Sequence, residues 1–189
     1  VASRTAEKEV SQSIDRLIYY AGWSDKYQQV FSAVNPVSSA HFNFSVLEPT
    51  GVVAIISPDD SSLLGLVSNI AAAIVGGNTC IILASETKPL CAVSFAEVLH
   101  ASDVPDGVVN ILTGFRSELT EFFASHMDVN AIIYCDGGKA AAKTVQALAA
   151  NNIKRVIARN RVDWSGDAAN PYLIRDTQEV KTTWHPIGT

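Results

Sequence analysis

Short apolar runs alternate with amphipathic segments along most of the chain. The runs are rich in β-branched side chains and occupy residues 52–56, 79–83, 108–112, 131–135 and 155–158. Such runs are typical of strands buried on both faces of a parallel sheet. Helices are predicted between them, over residues 62–75, 89–101, 117–124 and 138–150. Strands that alternate with helices build right-handed βαβ units. The pattern therefore predicts an α/β fold with a five-stranded parallel sheet and flanking helices.

The first part of the chain does not follow this alternation. Apolar side chains recur at helical spacing over residues 6–27, which predicts an amphipathic helix. Residues 32–41 contain Pro36 and the paired serines Ser38 and Ser39, which favour a loop. From Phe42 to Leu47 apolar and polar residues alternate, as they do in a strand with one buried face.

The last part of the chain also departs from the βα rhythm. Residues 162–171 are polar and include Gly166 and Asn170, which favours a connector. Residues 171–184 are predicted to be extended. The chain therefore carries two extended segments, near each end, outside the five-stranded sheet.

Composition and charge narrow the possible partners. The chain has 189 residues, of which 48% are apolar and 17% charged, and this suits one folded domain with a small appendage. The net charge is −5, without a block of like charges, so neither a nucleic acid nor a membrane surface is an expected partner. The apolar stretch 63–75 is too short to span a bilayer and is predicted to be a buried helix.

Cysteine and histidine usage predicts no metal site. The three cysteines are odd in number and fit neither a disulfide framework nor a zinc motif. The four histidines are scattered, with none at ligand spacing to a cysteine or to another histidine. Reduced thiols and an amino terminus without the pattern of a signal peptide lead us to expect a cytoplasmic protein.

Several short motifs resemble those of aldehyde dehydrogenases. They are L-I-Y-Y-A-G-W-S-D-K at 17–26, E-P-T-G-V-V at 48–53, G-N-T at 77–79 and P-D-G-V-V-N at 105–110. Their order and spacing are similar to those of that family's nucleotide-binding domain from about residue 10 to 160. E-V-K-T at 179–182 resembles its carboxyl-terminal strand. The resemblance implies a Rossmann-like domain and a small β arm formed by the Phe42–Leu47 region and the carboxyl-terminal strand.

The resemblance also implies a missing part. Aldehyde dehydrogenases carry a whole catalytic domain between the last nucleotide-binding strand and the carboxyl-terminal strand, where this chain has only residues 162–171. It resembles the incomplete second module of the two-module aldehyde dehydrogenases of family sixteen. The implied division is a nucleotide-binding-like domain at 1–161 with an arm strand at 42–49, a connector at 162–171, and an oligomerisation-type strand at 172–189.

No catalytic residue is carried over by the resemblance. The family's nucleophile belongs to the missing domain, and Cys135, although near a strand end, lacks a neighbouring base and oxyanion donors. Arg159 stands in place of the base glutamate; it cannot act as a base and is expected at the surface. Asp60 stands in place of the oxyanion-hole asparagine, and either Asp60 or Ser61 is expected to cap the following helix.

The cofactor motifs are altered as well. Where the family has K-P-A-E, Leu83 replaces the ribose-binding lysine and only Glu86 is kept. The pyrophosphate loop reads Y-C-D-G-G at 134–138, which places the charge of Asp136 where the cofactor would approach. No bound cofactor is expected. Residual binding of NAD or another adenine nucleotide stays open as the alternative, and the vestigial candidates for it are Ser57, Pro58, Glu86, Gly137 and Gly138.

The β arm is the functional feature of the family that this sequence retains. In the family this arm reaches a neighbouring subunit and extends its sheet. We therefore expect a non-catalytic module with a structural role beside a complete aldehyde dehydrogenase module, in the same or another chain, or in a homodimer. The aldehyde substrate of such an assembly is not encoded in these residues.

Overall fold

The structure is a computed structural model and describes residues 3–166 and 168–188. Its helices are α1 (Ser3–Ala21), α2 (Tyr27–Phe31), α3 (Leu64–Val75), α4 (Leu90–His100), α5 (Arg116–Ser125), α6 (Gly138–Ala149) and α7 (Tyr172–Arg175). Its strands are β1 (Ala33–Asn35), β2 (His41–Pro49), β3 (Val52–Ile56), β4 (Thr79–Leu83), β5 (Val109–Leu112), β6 (Ala131–Cys135), β7 (Arg155–Arg159) and β8 (Gln178–Pro186).

The predicted parallel sheet is confirmed. Its five strands lie in the order β5-β4-β3-β6-β7, and every neighbouring pair is parallel. The chain builds outward from β3 to β5 and then crosses to the other side to form β6 and β7. The order therefore reverses between β3 and β6, and the carboxyl ends of these two strands form the crevice where doubly wound folds bind ligands.

Two apolar layers hold the helices against this sheet. On one face, Leu66 and Ile70 of α3 pack with Ile55 and Ile133, and all four side chains are at most 1% exposed. On the other face, Phe123 of α5 and Val145 of α6 pack with alternate residues of β3 and β6. Because both faces are covered, the central strands are continuously apolar, as their sequence indicates.

The β arm is an antiparallel sheet of three strands in the order β1-β2-β8. Pairing between β2 and β8 runs without a break from His41 opposite Pro186 to Pro49 opposite Gln178. The prediction of a loop over residues 32–41 is wrong at β1, which pairs with β2. The Asn35 side chain donates to Asn43 Oδ1 at 2.6 Å and to Ser45 Oγ at 2.9 Å, contacts that a local sequence pattern does not reveal.

Polar contacts fasten the start of β8 to the parallel-sheet domain. Asn78 Nδ2 donates to the Thr177 carbonyl at 3.0 Å, and Gln178 Nε2 donates to the Gly76 carbonyl at 3.2 Å. From β7, the Arg155 guanidinium donates to the Asp176 carbonyl at 3.0 Å. The arm is thus anchored to two elements of the larger domain, the turn after α3 and strand β7.

Two local predictions near the chain ends are corrected. The amphipathic helix predicted over residues 6–27 ends at Ala21, and a separate short helix, α2, follows a turn. The segment predicted to be extended from residue 171 begins instead with the helical turn α7. Asn170 Oδ1 accepts the Tyr172 N–H at 2.9 Å and so caps this turn, while Ile174 inserts fully into the core.

Candidate functional site

An arginine lies in the crevice at the carboxyl ends of β3 and β6. Arg116 is the first residue of α5, the helix that links the two halves of the sheet. Its Nη1 donates to the Cys135 carbonyl at 3.1 Å, and its Nη2 donates to the Ser57 carbonyl. The same Nη2 is 3.3 Å from Asp59 Oδ2. A single guanidinium therefore joins the ends of both central strands.

Acidic side chains around Arg116 are engaged within the protein. Asp59 Oδ1 accepts the Ser85 hydroxyl at 2.8 Å and the Glu86 N–H at 3.0 Å. Glu86 Oε2 accepts the Arg116 N–H at 2.8 Å and so caps α5 at its positive end. The carboxylate that the sequence offered as a ribose ligand is thus turned toward a helix of its own chain.

The loop between β6 and α6 is held in a tight conformation. Asp136 and Gly138 both have positive φ, at 57° and 67°. The Gly138 N–H, a candidate for binding an anion, is 3.3 Å from Asn160 Oδ1 and donates to it. The Tyr134 ring fills the space where a side chain at Gly137 would project, so this position requires glycine.

Ser57 and Pro58, the two remaining candidates for nucleotide binding, follow strand β3. Ser57 is fully buried, and its hydroxyl has no hydrogen-bond partner within the described residues. Pro58 packs on Gly65 at the start of α3, where a Cβ on the glycine would collide with the proline ring. The structure therefore brings all five sequence candidates to one edge of the sheet, and it places Pro58 and Gly137 in packing positions.

The start of α3 is capped by one of the two residues that the sequence indicates. Of the two residues expected to cap α3, Ser61 does so, because its Oγ accepts the Gly65 N–H at 3.1 Å. Two more N–H groups at this end of the helix, those of Leu63 and Leu64, donate to Glu9 Oε1 of α1 at 3.3 and 3.2 Å.

Asp60 lies near a second carboxyl, that of Asp136. The pKa of Asp136 is raised above its ordinary value, chiefly by burial and secondly by the carboxyl of Asp60.

We expect Asp136→Asn to stabilise the protein at neutral pH. A carboxyl whose pKa is raised on folding favours the folded state below its unfolded pKa and loses that contribution as pH rises through the folded value. Asparagine removes the charge and tolerates the positive φ. Thermal unfolding at pH 7.5 should show a gain of about 2 °C, which corresponds to roughly 1 kcal/mol in a partly exposed site. The gain should vanish near pH 3.5; a gain independent of pH would contradict this electrostatic origin.

Cys135 and Arg159 are both buried, the second against expectation. Cys135 is fully buried, and burial raises the pKa of its thiol to about 12. Arg159 was expected at the surface, but it is 6% exposed, donates to Asn69 Oδ1, and lies 3.1 Å from Asp176 Oδ2. The prediction is wrong because these partners come from α3 and from the turn after α7, which are distant in sequence.

The described residues contain no group of three or more histidine, cysteine, aspartate or glutamate side chains placed to hold a metal ion. Within the same part of the chain, no helix is both long and apolar enough to cross a membrane.

Comparisons with known proteins agree with this geometry. The model of the aldehyde dehydrogenase family matches residues 2–160. The chain belongs to the aldehyde dehydrogenase family. A putative aldehyde dehydrogenase, DhaS of Bacillus subtilis, is 34% identical over 154 residues, which are 82% of this chain and 30% of that protein. Mouse cytosolic 10-formyltetrahydrofolate dehydrogenase is 34% identical over 151 residues, 78% of this chain and 16% of its own length.

Solved aldehyde dehydrogenases share the fold. Lactaldehyde dehydrogenase from Escherichia coli superposes with a TM-score of 0.76 at 25% identity and matches 82% of this chain and 32% of its own. An NAD⁺ complex of the Bacillus cereus enzyme gives 0.75 at 27% identity, again over 82% of this chain, and 30% of its own. The chain thus spans about a third of the length of these aldehyde dehydrogenases.

Arg116, whose guanidinium donates to carbonyls at the ends of both β3 and β6, was not predicted from the sequence. A lone arginine after a glycine and a phenylalanine carries no motif, and its position at the start of a helix is electrostatically unfavourable. The signal lay in the acidic residues around it. Asp59 and Glu86 follow neighbouring strands, and parallel strands bring such residues to one edge of the sheet.

Proposed function

We propose that this aldehyde dehydrogenase module is non-catalytic and serves in assembly, beside a complete aldehyde dehydrogenase module in the same or another chain. The observation that carries the proposal is the free edge of the arm. Strand β8 is nine residues long and is exposed from Val180 onward; within residues 3–166 and 168–188 its only partner strand is β2. A long exposed edge strand is a template for another strand and an aggregation hazard when left open.

The chemistry of the crevice supports the non-catalytic half of the proposal. A dehydrogenase of this family needs a thiolate, a carboxylate base and donors for an oxyanion. Cys135 is buried with a pKa raised to about 12, so its thiol stays protonated at neutral pH. Arg159 supplies no base, and Asp60 offers a carboxyl where an oxyanion requires a donor. Cys135 and Arg159 are buried in the fold, and Arg159 is paired there with Asn69 and Asp176.

The side chains of the arm support the assembly half. Apolar groups are exposed on it at Val34, Phe42, Val180 and Trp184, which are 45–68% exposed. Aromatic and aliphatic side chains of this kind are enriched at the centres of protein interfaces. Because the arm is anchored by Asn78 and Arg155, it presents this surface as a fixed extension of the domain.

The test is to remove the edge without disturbing its anchor. Deleting residues 180–189 keeps Thr177, Gln178 and their contacts, which a deletion from residue 172 would destroy. In the natural polypeptide that carries these residues, we expect the truncation to reduce the solution mass measured by light scattering. An unchanged mass for a folded truncated protein would count against the assembly role.

A matched pair of point variants provides the control. Val180→Lys places a charge on β8, and Val98→Lys places one on α4, remote in sequence from the arm; the two valines are 64% and 62% exposed. Only the first should weaken assembly. On the same proposal the module works in the cytoplasm, since its three cysteines are free thiols.

A further inference from the structure

We infer that Arg116 takes the place of a bound dinucleotide: its guanidinium closes the switch-point crevice and ties the two halves of the parallel sheet together. This inference goes beyond the assembly role and does not depend on the arm. It concerns how this family member keeps its nucleotide-binding fold intact without a nucleotide.

The guanidinium of Arg116 lies at the switch point of the parallel sheet. In a doubly wound fold, a ligand at the switch point bridges the first and second halves of the sheet. Here Arg116 makes that bridge, because its donors reach the Ser57 carbonyl after β3 and the Cys135 carbonyl at the end of β6. Its side chain is only 17% exposed, so it lies in the crevice and does not cover it from outside.

The neighbouring acidic residues Asp59 and Glu86 hold Arg116 in this position. Asp59 pairs with Nη2 at 3.3 Å and is itself fixed by the Ser85 hydroxyl and the Glu86 N–H. Glu86 in turn fixes the backbone of Arg116. Charge-assisted hydrogen bonds of this kind are about twice as strong as neutral ones. Displacing the arginine therefore requires breaking a connected set of contacts.

The residues at the positions where the family binds NAD do not provide the hydrogen-bonding groups that NAD needs. Leu83 is fully buried and apolar, and it offers no hydrogen bond to a ribose. Glu86 is engaged by Arg116, and the Gly138 N–H is engaged by Asn160. The carboxyls of Asp60 and Asp136 repel a pyrophosphate that approaches this edge. The residues present thus fit the internal arginine better than the family's cofactor.

Chemical rescue tests the bridge directly. Arg116→Ala should lower the melting temperature by about 6 °C, since it removes charge-assisted bonds and leaves two carbonyls without a donor. Ethylguanidine at about 50 mM should recover about 2 °C of this loss in the variant and leave the melting temperature of the wild type unchanged. Arg4→Ala, at an exposed position of α1, is the control and should show neither loss nor rescue. A stable Arg116→Ala protein, or one that ethylguanidine does not stabilise, would overturn the inference.

A titration of the unaltered protein keeps the inference testable if the variant fails to fold. We expect calorimetry with millimolar NAD to give no saturable heat, and the Nη–H resonances of Arg116 to stay resolved and unshifted in NMR spectra. Saturable NAD binding accompanied by a shift of those resonances would make Arg116 a ligand-binding residue and sink the inference. Neither result bears on the solution mass that tests the assembly role.

Discussion

Replacing Asn78 with alanine should lower the free energy of unfolding by about 3 kcal/mol, because each buried partner left without a hydrogen bond costs roughly 1–3 kcal/mol. The amide is 1% exposed and joins three parts of the chain. Its Oδ1 accepts the Gly51 N–H at 2.9 Å, and its Nδ2 donates to the carbonyls of Ala73 and Thr177, both at 3.0 Å.

The consequence should reach the arm, because Thr177 precedes β8. Urea denaturation gives the change in free energy, and hydrogen exchange should show faster opening of β8 than of β3. Asn151→Ala is the matched control, since this asparagine is exposed and makes no side-chain hydrogen bond within the described residues; its effect should stay within about 0.5 kcal/mol. Equal effects of the two variants would refute the role given to Asn78.

The second large effect is expected at the centre of the parallel sheet. Ile133 on β6 is 1% exposed and packs in the layer that includes Ile55 of β3 and Ile70 of α3. Ile133→Ala should destabilise the protein by about 3 kcal/mol, since it removes buried methyl groups and leaves a cavity that the close-packed neighbours fill only in part. The same denaturation experiment measures it.

Ile18→Ala on α1 is the control for this core variant. Ile18 is 65% exposed, so its truncation removes little buried surface, and alanine favours the helix. We expect no loss of stability beyond about 0.5 kcal/mol. If the two isoleucine variants lost similar stability, the layer around Ile133 would not be the tightly packed core described above.

The sequence predicted which residues lie at the crevice, but not which groups they contact there. The five candidates Ser57, Pro58, Glu86, Gly137 and Gly138 do lie at one edge of the sheet, because every strand of a parallel sheet ends on the same side. Their partners could not be read from the sequence. Glu86, a candidate only for residual nucleotide binding, accepts the backbone N–H of Arg116 in α5, a contact between residues 30 positions apart.

The sequence by itself determined the five parallel strands, their helices and the family, because each is encoded in contiguous residues through periodicity, β-branched runs and short motifs. Only the tertiary structure decided which polar groups meet. Arg116 binds the carbonyl of Ser57 across 59 positions, and Glu9 caps α3 across 55. Arg159 can be buried because its guanidinium donates a hydrogen bond to Asn69 and forms an ion pair with Asp176. Such contacts depend on how distant elements pack, and no local pattern specifies them.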